Sequence, residues 1–371
     1  MAAESDADDD LDSLARAALA GIAGGVVGGD RRRLARLELA VTRPTGDDRL
    51  DLEVVVALAG ELHYTGTGVP RRLIERARAL ASDAPSDQAL LLSLTTQRHA
   101  GSPVTDDVLD ELAEFERASI DGGELFLALR ALELRCAATF VRGDLAAARR
   151  LLARFDVRLS RTPSPRHRWA SALYRALLTD LEHGIRAAEG PAGEALALGK
   201  ELELPDAENA YAIFLLAYCL RTGVLADMEP IIRSYLASDR AIPAWHALHA
   251  ASLRAGGDAV AARAAAEQFR LEYTGADMMF PDLGLAMEIL ATAGDRKVAD
   301  VCDWASAELS AWSGQLIVVG AGAGCVGPVD AYVALARTGD DPEWARTWHE
   351  GPWQHLTDEM DRITGRHQAG G

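Results

Sequence analysis

The sequence predicts an all-α solenoid of about eight helical hairpins. Two observations carry this prediction: glycines recur at the interval of one hairpin, and the apolar positions between them have helical periodicity. The glycines are separated by 34 to 45 residues, an interval typical of helical repeats. They are Gly29, Gly66, Gly101, Gly143, Gly184, Gly223, Gly257, Gly294 and Gly339. Because a solenoid grows by stacking units, a length of 371 residues does not require a division into globular domains.

Several of these glycines are followed by aspartate and an Ala/Leu-rich stretch, as in Gly143-Asp144 and Gly257-Asp258. Glycine accepts the positive φ that ends many helices, and aspartate is a preferred N-cap residue. The phrase therefore predicts a turn in which the glycine ends one helix and the aspartate caps the next.

The stretches between the glycines have the pattern of amphipathic helices. From Ala207 to Leu220 the apolar residues fall at i, i+3/i+4 and i+7/i+8, which predicts one helix with a broad apolar face. Pro230 and Pro243 each stand where a proline is tolerated, in the first turn of a helix.

The two ends of the chain differ from this pattern. Residues 1–12 are rich in Asp and Glu and predict an acidic disordered tail, and the repeats are expected to span 13–340. Residues 341–371 are interpreted as a capping segment and tail, in which Trp344, Trp348 and Trp353 cover the exposed edge of the last repeat. A partner-docking face is the alternative for these tryptophans.

Charge and cysteine content limit the possible partners and compartments. The formal net charge of −18 argues against nucleic acid, whose phosphates an acidic protein repels. Four widely spaced cysteines indicate free thiols in a reducing cytoplasm. The apolar stretch from Leu14 to Val27 fits neither an export signal nor a membrane span, so a cytoplasmic protein without a membrane partner is expected.

One strand-like run, residues 315–320, leads into a glycine-rich sequence. There Gly322, Gly324 and Gly327 match the dinucleotide-binding pattern G-x-G-x-x-G. That pattern binds a dinucleotide only within a βαβ unit, and the chain after Gly327 has no second strand from which to build one. We therefore expect a glycine-rich linker between two repeats and no cofactor, with Cys325 a small packed thiol.

The same region carries a family resemblance. The run from Leu316 to Leu335 resembles a segment in the tetratricopeptide-like helical region of large actinobacterial multidomain regulators, which join an ATP-binding module, with cyclase or LuxR-type domains, to a helical array. Residues that fit the segment position by position are Gly320, Gly322, Cys325, Gly327, Val329, Asp330 and Tyr332. Three phrases upstream also resemble that region: residues 165–169, 206–209 and 241–245.

The resemblance covers about residues 30–340 and implies a tetratricopeptide-like α-α superhelix. It does not transfer an activity. The nucleotide-binding loop and the helix-turn-helix of those regulators are not found in this sequence. The chain therefore resembles their sensor-like middle region standing alone.

Aromatic residues and histidines concentrate in the central repeats. Those expected to bind a ligand or partner are Trp169, Tyr174, Tyr211, Tyr218, Trp245 and His246. Amphipathic aromatic rings on the inner wall of a solenoid can hold ligands, but their spacing also fits a helical core. His246 and His249 can share a helix face, although no third ligand stands nearby to complete a metal site. Asp180 is interpreted as a solvated or capping charge. Catalytic residues are unknown.

The sequence favours a stand-alone helical-repeat binding module with a regulatory role. Its concave face would hold a partner protein or a small effector. The alternative is an enzyme of actinobacterial secondary metabolism, of the cyclase or isomerase type, that uses an aromatic-lined groove in the same scaffold. A closed apolar cavity with perturbed titratable groups would favour the enzyme, and an open groove would favour the binding module.

Overall fold

A computed structural model of the protein describes residues 2–19, 31–64, 69–97, 101–238, 241–275, 278–320 and 322–336. These residues are mostly helical, which confirms the predicted all-α class, and their only sheet has two strands. The chain divides into two compact units, one formed by residues up to Leu132 with Met278 and Met279, the other by Glu133–Gly275 and the residues from Phe280 onward. None of the helices in the described part of the chain combines the length and apolarity needed to cross a bilayer.

The secondary-structure elements described for the first unit are helices. They are α1 (Ala2–Leu19), α2 (Arg31–Val41), α3 (Asp48–Tyr64), α4 (Arg71–Leu80), α5 (Pro85–Gln97), α6 (Asp106–Asp121) and the start of α7 (Leu125–Val141). Apolar side chains of α2, α3 and α5, among them Leu37, Leu52 and Leu94, are fully buried in its core.

The second unit contains the remaining elements. Its helices are the end of α7, then α8 (Leu145–Leu159), α9 (Pro165–His183), α10 (Glu189–Glu201), α11 (Ala207–Thr222), α12 (Glu229–Leu236), α13 (Pro243–Ala255), α14 (Ala259–Glu272), α15 (Pro281–Thr292), α16 (Ala299–Leu309) and α17 (Val329–Ala336). Two short 3-10 helices cover Leu225–Met228 and Ser310–Trp312, and the strands are β1 (Leu316–Val319) and β2 (Gly324–Pro328). The predicted helix from Ala207 is confirmed as α11, and Pro230 and Pro243 lie in the first turns of α12 and α13.

The predicted Gly-Asp turn is confirmed at two places. Gly143 and Gly257 have φ of 71° and 89°, and each follows the end of a helix. The Asp144 carboxylate accepts a hydrogen bond from the backbone N–H of Ala147 at 2.9 Å. Asp258 does the same with Ala261 at 2.9 Å. Local chemistry therefore sets the start of α8 and of α14.

The other predicted turns have different outcomes. Gly294 also has a positive φ of 79°, but Asp295 accepts from the N–H of Lys297, and α16 begins only at Ala299. Gly29, Gly66 and Gly339 lie outside the described residues.

The segment predicted as an acidic tail, residues 1–12, lies within α1, which begins at Ala2 and continues to Leu19. Two alanines near its end, Ala15 and Ala18, are buried in the core of the first unit. This packing gives the helix a hydrophobic anchor that the acidic composition of residues 1–12 does not reveal.

Candidate binding surface on helix α11

The glycine-rich sequence forms a buried hairpin. β1 and β2 pair antiparallel, with Leu316 opposite Pro328 and Val319 opposite Gly324. Within the second unit, β2 packs against α9, α11 and α17, and β1 packs against α15. The expectation of a linker at this place is wrong, because the chain reverses direction and buries both strands.

Close packing explains the glycines of this hairpin. Gly322 has φ of 97°, and a Cβ added there would lie 2.5 Å from Cε1 of Tyr174 on α9. At Gly320, with φ of 64°, the added Cβ would lie 2.6 Å from Cδ1 of Ile213 on α11. At Gly324 it would lie 3.2 Å from the carbonyl oxygen of the same Ile213. The backbone therefore approaches two helices more closely than a side chain permits.

A buried ion pair lies beneath the hairpin. Nη1 of Arg221 on α11 donates to Oδ2 of Asp180 on α9 at 2.7 Å and to the carbonyl oxygen of Cys325 on β2 at 3.2 Å. Both charged side chains are almost fully buried. The interpretation of Asp180 as a solvated or capping charge is wrong, because Arg221 joins its carboxylate to α11 and the hairpin inside the core.

Another face of α11 is only partly buried. Tyr211, Leu215 and Tyr218 are half-buried and lie at i, i+4 and i+7, so they share one side of the helix. We call these three residues the α11 stripe. The side of α11 that meets β2 includes Ala217 and Arg221, so the helix has one face in the core and one accessible face.

The two tyrosines of the α11 stripe are held by their neighbours. Their rings lie 5.9 and 6.2 Å, between centroids, from the buried ring of Phe214. Nη1 of Arg186 lies 3.5 Å from the Tyr218 hydroxyl, and its guanidinium carbon lies 6.0 Å from the centre of that ring. The stripe is therefore an ordered aromatic surface with a cation beside Tyr218.

Three of the six predicted site residues are buried. The Tyr174 hydroxyl donates to the carbonyl oxygen of Glu133 at 2.9 Å. The Trp169 side chain packs against Gly199, where an added Cβ would lie 2.8 Å from the indole nitrogen. Trp245, only 8% exposed, has Tyr235 and Phe280 at centroid distances of 6.2 and 6.4 Å. These side chains pack inside the second unit.

The other three, Tyr211, Tyr218 and His246, are half-buried. His246 lies on α13 with His249, as the i, i+3 spacing predicts. Nε2 of His246 is 3.7 Å from Glu272, and Nε2 of His249 is 3.0 Å from Glu229. Desolvation lowers the pKa of His246, and Glu272 opposes that shift. Each imidazole thus has its own carboxylate, and no group of ligands suited to a metal ion occurs among the described residues.

The predicted site residues did not include Leu215 or Arg186. Leu215 belongs to the apolar period that predicted α11, but that period does not tell a surface position from a core position. Arg186 lies between α9 and α10, and nothing in its local sequence indicates its contact with Tyr218. The tryptophans predicted to cap the array, Trp344, Trp348 and Trp353, lie outside the described residues.

Comparisons with protein-family models, with curated proteins and with solved structures find no match for this chain.

Proposed function

We propose that the protein is a stand-alone helical-repeat binding module with a regulatory role, and that its α11 stripe binds a partner protein. The resemblance to the tetratricopeptide-like region of multidomain regulators supports the repeat architecture. So does the packing of α13 against both α14 and α15, and of α15 against α16, since consecutive helices of a repeat array contact their nearest neighbours in this way.

The single observation that carries the proposal is the division of α11 into two faces. One face is occupied by the chain's own hairpin and by the Arg221–Asp180 pair. The other carries Tyr211, Leu215 and Tyr218, all half-buried, in one row. Tyrosine is enriched at the energetic centres of protein interfaces, where a rigid ring buries a large area at low entropic cost.

The form of the stripe favours a protein segment over a small effector. Tyr211 and Tyr218 are seven residues apart, so the row extends about 10 Å along the helix, because the rise per residue is about 1.5 Å. Small-molecule sites instead enclose most of the ligand surface in a concave pocket. A segment with apolar side chains at matching spacing could cover Tyr211, Leu215 and Tyr218 together.

Site-specific photocrosslinking tests the proposal without knowledge of the partner. A benzophenone amino acid replaces Tyr211 in one variant and Tyr218 in another, in the cells from which the protein comes. A third variant carries the same group at Val260 on α14, which is 70% exposed and belongs to the same unit. Crosslinked proteins are identified by mass spectrometry.

Capture of the same protein from Tyr211 and Tyr218, and not from Val260, is the expected result. The captured protein, once purified, should also bind the unmodified chain in solution. An identical set of products at all three positions, or none at the two stripe positions, would contradict a specific partner at α11.

A further inference from the structure

Ser164 and His167 at the start of α9 have an unusual relationship. Ser164 is the N-cap residue of α9, with φ of −145° and ψ of 109°. A serine at this position commonly accepts a hydrogen bond from the first turn of the helix. Within the described structure its Oγ makes no such bond to α9 and lies 2.7 Å from Nδ1 of His167. The hydroxyl is thus directed at a potential base.

A carboxylate lies on the other side of the same imidazole. Nε2 of His167 is 3.9 Å from Oε2 of Glu133, a distance of an ion pair when the ring is protonated. Glu133 is 2% exposed, so water screens this interaction little. Arg166 approaches the other carboxylate oxygen at 3.3 Å and holds Glu133 in place. Ser164, His167 and Glu133 are therefore arranged in the order of nucleophile, base and orienting acid.

We propose that Ser164 is the nucleophile of an acyl-transfer site that acts on esters, with His167 as its general base and Glu133 as a positioning residue. The proposal is independent of partner binding at α11. Ser164 is half-buried and lies between exposed Pro163 and Pro165, so a substrate can reach its hydroxyl from solvent.

The chemistry requires only water besides the ester. Oγ of Ser164 attacks the ester carbonyl carbon, and Nδ1 of His167 takes the hydroxyl proton. The C–O bond of the ester breaks, and the protonated imidazole gives its proton to the leaving alcohol. Water, deprotonated by the same ring, then hydrolyses the acyl-serine and restores Ser164. Glu133 stabilises the positive imidazole during both steps, and the first-turn N–H groups of α9 lie at the positive end of the helix dipole.

A fluorophosphonate probe tests the site, because it phosphonylates activated serines with loss of fluoride. The full chain is treated with an alkyl fluorophosphonate, and the product is followed by intact-mass spectrometry. We expect one adduct per chain, located at Ser164 by tandem mass spectrometry. Ser164→Ala should abolish it, while Ser160→Ala should leave it unchanged, because Ser160 is an exposed serine whose Oγ donates to the carbonyl of Val157.

Two further variants separate chemistry from folding. His167→Ala should slow labelling by about 100-fold or more, and added imidazole should restore part of the rate. Glu133→Gln should slow labelling of the folded chain, compared at a temperature well below its melting temperature, and Glu133→Asp should retain most of the rate. The proposal is overturned if the folded wild-type chain forms no adduct, if the adduct lies elsewhere, or if labelling of Ser164 does not depend on His167.

Discussion

Arg221 and Asp180 form an ion pair inside the second unit, with 2.7 Å between Nη1 and Oδ2 and with side chains only 1% and 2% exposed. The same nitrogen donates to the Cys325 carbonyl, so one guanidinium connects α9, α11 and β2. A charge in this environment is tolerated because its partners replace the water that it loses. The pair therefore helps to fix the hairpin against the two helices.

Removal of one charge of this pair should strongly destabilise the second unit. Arg221→Met leaves the Asp180 carboxylate buried without its guanidinium, and we expect a loss of about 3–5 kcal/mol in the free energy of unfolding. Urea denaturation measures it. The double variant Arg221→Met/Asp180→Leu should be more stable than Arg221→Met alone, because neither charge of the pair then stays buried without its partner. A loss below about 1 kcal/mol for Arg221→Met would show that the pair is not structurally important.

Replacement of Gly322 should separate backbone strain from steric clash. Gly322→Ala adds a Cβ 2.5 Å from the Tyr174 ring at φ of 97°. We expect a loss of about 2–5 kcal/mol, the sum of overpacking and a left-handed alanine. Gly257→Ala is the matched control, because Gly257 also has a positive φ, 89°, but nothing lies within 4 Å of its added Cβ. This variant should therefore lose only the conformational contribution, about 1–2 kcal/mol of unfolding free energy. Equal melting temperatures for the two variants would refute the close approach to Tyr174.

Glu288 should make stability decrease as pH rises. Its carboxylate is fully buried on α15, and neither oxygen has a hydrogen-bond partner among the described residues. Burial raises the pKa of Glu288 from 4.5 to about 8, and Arg270 opposes that shift. Between these two pH values the folded chain keeps a proton that the unfolded chain releases, so the free energy of unfolding falls across this window by about 1.4 kcal/mol per pKa unit.

The variant Glu288→Gln isolates this effect. The unfolding free energy of the wild type, minus that of the variant, should fall as the pH rises from 4.5 to 8. Above pH 8 this difference should stay constant. Burial also lowers the pKa of His63 to about 4, but that contribution is common to both proteins and cancels in the difference. Parallel stability curves would mean that Glu288 does not titrate with a raised pKa.

Trp245 should behave as a core residue. Its ring packs between Tyr235 and Phe280, so Trp245→Ala should cost about 3–5 kcal/mol of stability. Tyr218→Ala, which removes a half-buried ring that packs beside Phe214 at a tilted angle, should cost no more than about 1.5 kcal/mol. Differential scanning calorimetry compares the two. A nearly unchanged melting temperature for Trp245→Ala would return Trp245 to the candidate binding residues.

Local signals explain what the sequence could predict. The turns at Gly143 and Gly257 depend on φ of one glycine and on one aspartate side chain, and both effects act within a few residues. The helix from Ala207 follows from its apolar period alone. Such features need no knowledge of distant parts of the chain.

Long-range packing explains the features that the sequence could not predict. Asp180 and Arg221 are 41 residues apart, and Cys325 is another 104 residues from Arg221, so no spacing rule connects them. β2 contains two glycines and a proline, a composition typical of a loop, and it becomes a strand because β1 and three helices pack against it. Periodicity placed Tyr211 and Trp245 on helices but could not tell which of them lies inside.

The most direct test of the proposed function is the affinity of the photocrosslinked partner for variants of α11. Isothermal titration calorimetry compares wild type, Tyr218→Ala and the exposed control Val260→Ala. If the α11 stripe is the binding surface, Tyr218→Ala should raise Kd by about 30-fold or more. This factor corresponds to the roughly 2 kcal/mol of an interface hot spot. Val260→Ala should leave Kd unchanged. A wild-type Kd for Tyr218→Ala would contradict binding at the α11 stripe.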